Sequence, residues 1–264
     1  MDKEKKQSYR ELELLDAIRR CGGFAKNSDL ATSLNVSEET VRRTVKALSK
    51  SGAIARVRGG AYLVGEQTAP SYSKRIEQFT QEKRLVAQKL VLDIVDGMTL
   101  FLDVGSTTAF IAEELRAREN LCVVTNSVQV GQTLVGHNGN SVHLLGGEMQ
   151  AVELGAFGHV AEQQARSFCY DCSVISADAL HPRHGFLYFN RKEAELASVA
   201  IENSDMTIAA ITHQKYAAKA PHAGFAPESV DRLVVDRPPP GALLSQLDIW
   251  GITLASAKEE VREC

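Results

Sequence analysis

The segment from Thr40 to Gly65 carries six Lys or Arg residues and no Asp or Glu. Within it, Val41, Val45 and Leu48 recur at helical spacing, so they predict a helix whose basic side chains lie on the opposite face. Those outward side chains are Arg42, Arg43, Lys46 and Lys50. A helix with one apolar stripe and an uncompensated basic face is suited to an anionic partner.

Two further helices are predicted ahead of this basic helix. Apolar residues at helical spacing predict a helix over residues 8–20, and the pair Gly22–Gly23 is expected to end it. Ser28 is expected to cap a second helix over residues 29–34, and Ser37 is expected to cap the basic helix. The three segments together predict a helix-turn-helix module.

Two short apolar segments follow the basic helix, which Gly52 is expected to end. Residues 53–56 and 61–64 are predicted to form strands joined by a turn at residues 57–60, and such a hairpin is a wing. Arg56 and Arg58 are expected at its tip, in position to meet the backbone or minor groove of DNA. The alternative for the whole module is a small helical adaptor with a solvated basic face.

Arginines on a helix are suited to the major groove of DNA. A guanidinium forks onto O6 and N7 of guanine, while neighbouring Lys and Thr side chains hold phosphates. Thr40, Arg42 and Arg43 are therefore predicted to read bases. The predicted DNA-binding residues are Ser37, Thr40, Arg42, Arg43, Lys46, Arg56, Arg58 and Gly59.

The distribution of charge divides the chain. Residues 1–65 carry 13 Lys or Arg against 8 Asp or Glu, a balance of +5, so the other 199 of the 264 residues hold −8 of the net −3. A basic module therefore precedes an acidic body large enough for its own core. The predicted domains are a DNA-binding domain over residues 8–64, a linker over 65–81 and an α/β domain over 82–264.

Cysteine content and hydropathy predict a soluble, cytoplasmic protein without a metal or cofactor. The Lys-rich start has no apolar segment after it, and no apolar run reaches the roughly 18 residues that cross a bilayer. Five cysteines are an odd number, which indicates reduced thiols. Two Cys and two His could complete a zinc site, but their spacing is shorter than in zinc fingers. These four residues are Cys169, Cys172, His181 and His184.

The acidic body alternates apolar runs with helical stretches. Helices are predicted at about residues 82–95, 106–117 and 191–203, and this alternation predicts a mostly parallel sheet covered by helices. Trp250 is expected to pack in a last strand within residues 247–252. The expected strands are Thr99–Leu102, Leu121–Val124, Val142–Leu145, Ser173–Ile175, Thr207–Ile211 and Arg232–Val235.

Polar residues follow several of these strands, where ligands of parallel sheets bind. Residues 103–108, Asp-Val-Gly-Ser-Thr-Thr, follow the first strand and open a helix, so glycine lets the backbone approach and the helix N-terminus favours a phosphate. An ordinary turn with an N-cap is the alternative reading of this loop. Further polar groups at strand ends are Thr125, Asn126, Ser127, Gly146, Gly147, Asp178 and Lys215.

The motifs in both parts resemble those of the DeoR family of bacterial sugar-metabolism regulators. Ser37, Thr40 and the pair Arg42–Arg43 match the recognition-helix pattern of the family, whereas Thr44–Val45 replaces its Asp-Leu and Arg58 replaces the His of its wing. The body carries the Asp-x-Gly-Ser-Thr-Thr, Thr-Asn-Ser and Gly-Gly motifs of the family's effector domain in order. The resemblance implies an α/β fold similar to that of ribose-5-phosphate isomerase.

Two motifs of the body depart from the family pattern. Gly-Ala-Asp-Gly becomes Ser176–Ala179, which keeps Asp178, and Ala-Asp-Ser-Ser-Lys-Phe becomes Ile211–Tyr216, which keeps Lys215. These changes imply an unusual effector or different sugar contacts. The effector-binding residues that the motifs and the resemblance imply are Asp103, Gly105, Ser106, Thr107, Thr108, Thr125, Asn126, Ser127, Gly146, Gly147, Asp178, Glu193 and Lys215.

The resemblance implies a repressor of a carbohydrate-metabolism operon whose operator binding responds to a phosphorylated sugar or related metabolite. One winged helix reads a short site, so a homodimer or homotetramer spanning two half-sites is expected. No catalysis is required. The alternative is a sugar-phosphate isomerase with a DNA-binding head, which needs a carboxylate base from Asp103, Asp178 or Glu193.

Overall fold

The computed structural model describes residues 9–20, 24–51, 53–57, 59–63, 72–216 and 218–258. The chain divides into two units, residues 1–70 and residues 71–264. In the described part, no helix has both the length and the apolar character needed to cross a bilayer.

The first unit contains three helices and a three-stranded antiparallel sheet in the order β1-β3-β2. Ser37 Oγ accepts from the Thr40 N–H at 3.2 Å, which confirms the predicted cap of α3. The short strand β1 was not predicted, because three residues are too few to show alternation. The elements are α1 (Tyr9–Arg20), β1 (Phe24–Lys26), α2 (Asn27–Ser33), α3 (Glu38–Lys50), β2 (Ile54–Val57) and β3 (Gly60–Leu63).

The start of α2 corrects one prediction. The helix begins at Asn27, with Lys26 as its N-cap residue and no side-chain cap, so Ser28 is the second helical residue and does not cap it. Ser28 Oγ instead donates to the carboxylate of Asp29. The predicted strands of the wing are also displaced by one residue, because the turn between β2 and β3 is only two residues long.

The predicted apolar stripe of α3 lies in the core of the first unit. Val41, Val45 and Leu48 are at most 2% exposed and pack with Ile18 of α1 and Leu30 of α2. Burying a side chain of this size contributes about 1.5–3 kcal/mol. The stripe therefore fixes which face of α3 points to solvent.

The second unit contains a seven-stranded parallel sheet in the order β15-β14-β12-β9-β4-β5-β6. This confirms the predicted fold class. The six strands of the sheet expected from apolar runs lie at or within one residue of their predicted positions. They are β4 (Thr99–Leu102), β5 (Cys122–Thr125), β6 (Ser141–Leu144), β9 (Cys172–Ile175), β12 (Thr207–Ile211) and β14 (Arg232–Val235), and β15 (Thr253–Ser256) is added.

Two small antiparallel sheets and seven helices complete this unit in the described residues. The short strands are β7 (Glu148–Gln150) with β8 (Gly155–Phe157), and β10 (Ala179–His181) with β11 (Gly185–Tyr188) and β13 (His222–Ala223). The helices are α4 (Tyr72–Glu77), α5 (Thr80–Leu90), α6 (Ser106–Leu115), α7 (Val128–Leu134), α8 (His159–Ala165), α9 (Arg191–Glu202) and α10 (Gly241–Trp250). Three single turns of 3-10 helix are Val91–Asp93, His213–Lys215 and Pro227–Ser229.

Apolar side chains fill both faces of the large sheet. Leu100 and Leu102 of β4 pack in the cluster that includes α5, α6 and α7, whereas Phe101 packs in the cluster that includes α8 and α9. This alternation follows from the two-residue period of a strand. Because both faces are covered, the strands are continuous apolar runs, which is why the sequence revealed them.

Three predicted elements in the body differ from the structure. Residues 72–81 were expected to be linker but contain α4 and the start of α5, and a six-residue helix is too short to show a hydrophobic period. The helix expected at 82–95 is α5, and it ends at Leu90 before a 3-10 turn. Trp250 is the last residue of α10 and lies outside any strand, because Gly251 adopts a left-handed conformation and ends that helix.

Candidate functional site

The exposed face of α3 carries the predicted DNA-binding residues. Arg42, Arg43 and Lys46 are exposed opposite the buried stripe. The Arg42 guanidinium lies 3.1 Å from the carboxylate of Glu38 and 3.7 Å from that of Glu39. Exposed helical ion pairs contribute only about 0.3–0.5 kcal/mol, so Arg42 can exchange them for a phosphate or a base at little cost.

Ser37 and Thr40 have structural roles at the start of α3. Their hydroxyl oxygens are 2.9 Å apart, and the Thr44 hydroxyl donates to the carbonyl of Thr40 at 3.0 Å. These hydrogen bonds fix the first turn of the helix. The two residues therefore position the arginines whether or not they touch DNA themselves.

A groove of about 470 Å³ runs between α3 and the wing. Arg42 and Arg56 both line it, and Asn27 and Ser28 at the start of α2 form another part of its wall. The Asn27 N–H donates to the carbonyl of Gly59 at 2.9 Å, which ties the wing turn to α2. The sequence did not single out Asn27 or Ser28 for this surface, because only the folded wing brings them beside the arginines.

The wing differs in detail from the prediction. Arg56 lies within β2, opposite Ala61, as the second-last residue of the strand, and is exposed. Gly59 has a φ of +83°, a conformation that glycine adopts without strain. Arg58 lies outside the described residues.

In the second unit, the chain changes direction across the large sheet between β4 and β9. Strands β5 and β6 add on one side of β4, and β9, β12, β14 and β15 add on the other. Open parallel sheets bind ligands at such a switch point, beyond the carboxyl ends of the strands. Asp103 follows β4 and Asp178 lies three residues after β9, so these two carboxyl groups flank the switch point.

The loop between β4 and α6 is fixed by its own hydrogen bonds. The Val104 N–H donates to Oδ1 of Asp103 at 2.8 Å and to Oδ1 of Asn126 at 3.0 Å. The Thr108 hydroxyl donates to the carbonyl of Gly105 at 3.0 Å. A Cβ atom at residue 105 would lie 3.1 Å from the oxygen of that hydroxyl, so glycine allows this close approach.

The first turn of α6 is polar and lies directly after this loop. Ser106 and Thr107 are 9% and 6% exposed. The first N–H groups of an α-helix have no partner within the helix, and the helix dipole favours an anion beside them. The arrangement can therefore accept a phosphate, as the motif predicts.

Of the three polar residues after β5, two form hydrogen bonds within the fold and one reaches the candidate site. The Thr125 hydroxyl donates to the carbonyl of Leu102 at 2.6 Å, and Ser127 Oγ accepts from the Val130 N–H at 3.3 Å as the cap of α7. Both hydroxyl groups are therefore engaged within the protein. Asn126 differs, because its side chain reaches the loop before α6.

Gly146 and Gly147 contact a different part of the structure. The Gly146 N–H donates to Oε1 of Gln164 at 2.7 Å. Gly147 has a φ of +132°, and a Cβ there would lie 2.6 Å from the carbonyl oxygen of Phe157. Their close contacts are with α8 and β8, so these glycines shape the turn after β6.

A cluster of ion pairs surrounds the buried carboxylate of Asp178. Oδ1 of Asp178 lies 3.5 Å from Nζ of Lys215 and 3.8 Å from the guanidinium of Arg75. Arg75 also forms a salt bridge with Glu153, and the side chains of these two residues are 11% and 4% exposed. The structure thus joins Asp178 and Lys215, as the sequence predicted, and adds two charged residues that it did not.

The buried carboxyl groups have shifted protonation equilibria. Burial raises the pKa of Asp103 to about 8, although hydrogen bonds from the N–H groups of Val104 and Ser176 oppose the shift. Burial and then repulsion by Asp178 raise the pKa of Glu193 well above its ordinary value. Burial also raises the pKa of Glu153, whereas neighbouring Arg75 lowers it.

Several buried polar atoms at this end of the sheet have no hydrogen-bond partner among the described residues. Buried polar groups are nearly always paired, so a set of donors and acceptors without partners indicates a site that a ligand or water completes. The atoms are Oδ2 of Asp103, Nδ2 of Asn126, the Tyr188 hydroxyl, Oε2 of Glu193 and Nε of Arg75.

 The sequence did not single out three charged or polar residues of this region, Arg75, Glu153 and Tyr188. Arg75 falls in the range expected to be linker, Glu153 lies between two short strands, and Tyr188 ends an apolar strand. Only the tertiary structure brings them to the carboxyl ends of β4 and β9.

The altered motif at residues 211–216 forms a contact of its own. The His213 N–H donates to Oδ1 of Asp236 at 2.7 Å, and Nδ1 of His213 lies 2.7 Å from Oδ2 of the same carboxylate. Thr212 is buried. His213 is therefore bonded to the end of β14, while Lys215 on the same turn reaches Asp178.

The residues considered for zinc are not arranged around one point. Cys172 is fully buried in β9, Cys169 is exposed, and the rings of His181 and His184 stack on each other with centroids 4.9 Å apart. Across the described ranges, no group of three or more His, Cys, Asp or Glu residues is placed to hold a metal ion.

The chain combines a basic winged helix-turn-helix with an α/β unit that has a polar crevice. This combination is typical of a ligand-responsive transcription regulator. Residues 10–67 match the family model described as the DeoR-like helix-turn-helix domain, and residues 78–237 match the DeoR C terminal sensor domain. The chain belongs to the DeoR family and is a DNA-binding transcriptional regulator. Both the family resemblance and this function were predicted from the sequence, and both are confirmed.

Curated relatives align over nearly the whole chain. The chain is 27% identical over 242 residues to the glycerol-3-phosphate regulon repressor of Escherichia coli, covering 92% of this chain and 96% of that protein. It is 29% identical to the transcriptional repressor CsqR of Escherichia coli, covering 90% and 91%. It is 26% identical to the transcriptional repressor GlcR of Bacillus subtilis, covering 96% and 98%.

Solved structures show a more distant likeness. A ribose-5-phosphate isomerase in complex with phospho-erythronic acid is 17% identical, with a TM-score of 0.39 and coverage of 52% of this chain and 54% of that chain. The translation initiation factor eIF-2B of Pyrococcus horikoshii is 14% identical, with a TM-score of 0.45 and coverage of 80% and 81%. Likenesses of this size carry no argument about function.

Proposed function

We propose that this protein represses a carbohydrate-metabolism operon and that a phosphorylated sugar or related metabolite modulates its affinity for operator DNA. Three relatives support repression as the output. One is named as a glycerol-3-phosphate regulon repressor, and the other two are the transcriptional repressors CsqR and GlcR. The proposed effector site lies at the carboxyl ends of β4, β5, β9 and β12. The α3 groove is the proposed DNA-binding surface.

The observation that carries the effector proposal is the buried polar turn at the start of α6. Its N–H groups, with the hydroxyls of Ser106 and Thr107, suit a phosphate. Asn126 and Glu193 each hold a buried side-chain atom without a partner among the described residues, and a hydroxylated carbon chain offers both donors and acceptors to such atoms. A sugar phosphate combines these two kinds of group in one molecule.

The isomerase alternative is less well supported than regulation. The carboxylate of Asp178 is engaged by Lys215 and accepts from the Phe189 N–H at 2.9 Å, so it is held as part of the structure. The aligned relatives are named as repressors. We therefore propose binding without turnover, and conversion of a sugar phosphate by the purified chain would contradict this.

The DNA-binding unit supplies one recognition helix per chain. A single winged helix contacts a short site, so we propose a homodimer or homotetramer that spans two half-sites in the cytoplasm. Effector binding would act by linkage, because a ligand that prefers one arrangement of the two heads changes operator affinity by its differential binding.

The DNA proposal is tested by titrating the full chain against the DNA upstream of its own gene, at several salt concentrations. Arg42→Ala/Arg43→Ala should abolish specific binding and reduce the salt dependence, because each phosphate contact releases counterions. Arg116→Ala/Arg166→Ala removes the same charge from exposed sites of the second unit and should leave binding unchanged. Equal binding by both double variants would refute the assignment of α3.

The effector proposal is tested in the same titration with glycerol 3-phosphate, ribose 5-phosphate, glucose 6-phosphate and inorganic phosphate. Ser106→Ala/Thr107→Ala should remove the response to the active compound while operator binding without it is retained. Ser167→Ala deletes an exposed hydroxyl and serves as the control. A response that survives the double substitution would place the phosphate elsewhere.

A further inference from the structure

Helix α4 is the first described element of the second unit. Residues 64–71 connect it along the chain to β3 of the DNA-binding unit. Among the described elements of the second unit, α4 is therefore the one nearest along the chain to the DNA-binding unit. The helix has only six residues, too few to be stable alone, so it depends on its contacts with the rest of the second unit.

Contacts with the body hold α4 in place at both ends. The Tyr72 N–H donates to the carbonyl of Val152 at 2.7 Å, and the Tyr72 side chain is buried. At the other end, the buried ammonium of Lys83 donates to the carbonyls of Arg75 and Gln78. The helix also packs against α6, whose first turn is the proposed phosphate site.

Arg75 joins this helix to the proposed effector site. It projects from α4 to form the salt bridge with Glu153, and its guanidinium also faces the Asp178 carboxylate at 3.8 Å. Asp178 in turn lies 3.5 Å from Lys215. Arg75 and Lys215 thus share one carboxylate, so a change at that carboxylate alters the restraint on α4.

Arg75 is also incompletely paired. Its Nε is buried and has no hydrogen-bond partner in the described part of the chain. Burial tends to lower the pKa of Arg75, but the carboxylates of Glu153, Asp178 and Glu193 raise it overall, so the guanidinium stays charged. A phosphate or hydroxyl oxygen in the site would compete with these carboxylates for the guanidinium.

We propose that Arg75 is the residue through which effector occupancy reaches the DNA-binding unit. An effector oxygen draws the guanidinium away from Glu153, and α4 moves with it. The inference rests on the proposed function, because it states how occupancy of that effector site is transmitted. Arg75 makes only one of the contacts with the effector in this mechanism, so its loss uncouples the two activities while effector and operator are each still bound.

The test measures three quantities on the full chain: operator affinity with and without the effector, effector affinity by calorimetry, and unfolding of the body by Trp250 fluorescence. The effector probe is the compound among the four sugar and inorganic phosphates above that gives the largest wild-type response. Typical coupling changes affinity by about 5- to 150-fold. Arg75→Gln should reduce that ratio to within about twofold of unity, with operator and effector each still bound.

Two variants control for charge and for chemistry. Lys74→Gln removes an exposed charge from the neighbouring position on α4 and should keep the wild-type ratio. Arg75→Lys keeps the charge but loses the fork of donors, so it should restore part of the response. If Arg75→Gln fails to fold, Arg75→Met/Glu153→Gln leaves neither partner of that salt bridge charged and should show the same uncoupling.

The outcomes separate the inference from the function on which it rests. A wild-type ratio in Arg75→Gln, or in the double variant, would overturn the inference and leave the effector site intact. Complete loss of effector binding in Arg75→Gln would also overturn it, because Arg75 would then hold the effector itself and the effect on DNA would follow from an empty site. No response of the wild type to any of the four compounds would refute the effector proposal, and the inference with it.

Discussion

Replacing Asp103 with Asn should change how the stability of the second unit depends on pH. The pKa of Asp103 is about 8 in the folded protein because of burial, against an ordinary value of 3.8. Between these values the folded chain holds a proton that the unfolded chain has released. The carboxyl group therefore contributes stability that is fully present below the unfolded pKa and is lost as the pH rises through 8.

The size of the effect follows from the two pKa values. Between about pH 5.5 and pH 7.5, linkage predicts a loss on the order of 2–3 kcal/mol from this one group. With a urea dependence of about 2 kcal/mol per molar, the unfolding midpoint of the wild type should fall by about 1 M more than that of Asp103→Asn. The neighbouring carboxyls of Glu153 and Glu193 shift in the same direction and reinforce the trend.

The measurement is urea unfolding followed by tryptophan fluorescence. Trp250 is the single tryptophan of the chain and is buried in the second unit, so the signal reports that unit. Asp205→Asn, which changes an exposed carboxylate, should keep the wild-type pH dependence. Parallel pH profiles for the wild type and Asp103→Asn would show that the buried carboxyl does not hold its proton.

Two further predictions concern single side chains. Gly147→Ala should destabilise the second unit by about 1–3 kcal/mol from backbone strain alone, because its φ is +132° and the new Cβ would meet the Phe157 carbonyl; an unchanged urea midpoint would contradict this. Burial raises the pKa of the Cys172 thiol to about 12, so iodoacetamide at pH 8 should alkylate the exposed Cys169 and spare Cys172 in the folded chain, as peptide mass spectrometry would show.

Local patterns in the sequence were enough to predict most elements of the fold. The strands of the large sheet are covered on both faces, so each one is a continuous apolar run. Helix α3 has a cap, an apolar stripe and an acidic first turn within 13 residues, and all three signals agree. Each family motif likewise consists of a few consecutive residues, which is why it could be recognised.

Short elements were missed because they carry too little pattern. Strand β1 has three residues and helix α4 has six, so neither shows a hydrophobic period. The cap assigned to Ser28 failed for a related reason, since α2 begins at Asn27, directly after the short strand β1. These elements depend on contacts with distant segments.

Residues close together along the chain specify the two-part organisation, the basic face of α3 and the polar turn after β4. The charges that meet in the second unit are brought together by folding. Arg75, Glu153 and Asp178 are separated by 78 and 25 positions along the chain, yet the crossing of the sheet at β4 and β9 places them in one buried cluster. Their pairing depends on burial and distance, and neither is written in local sequence.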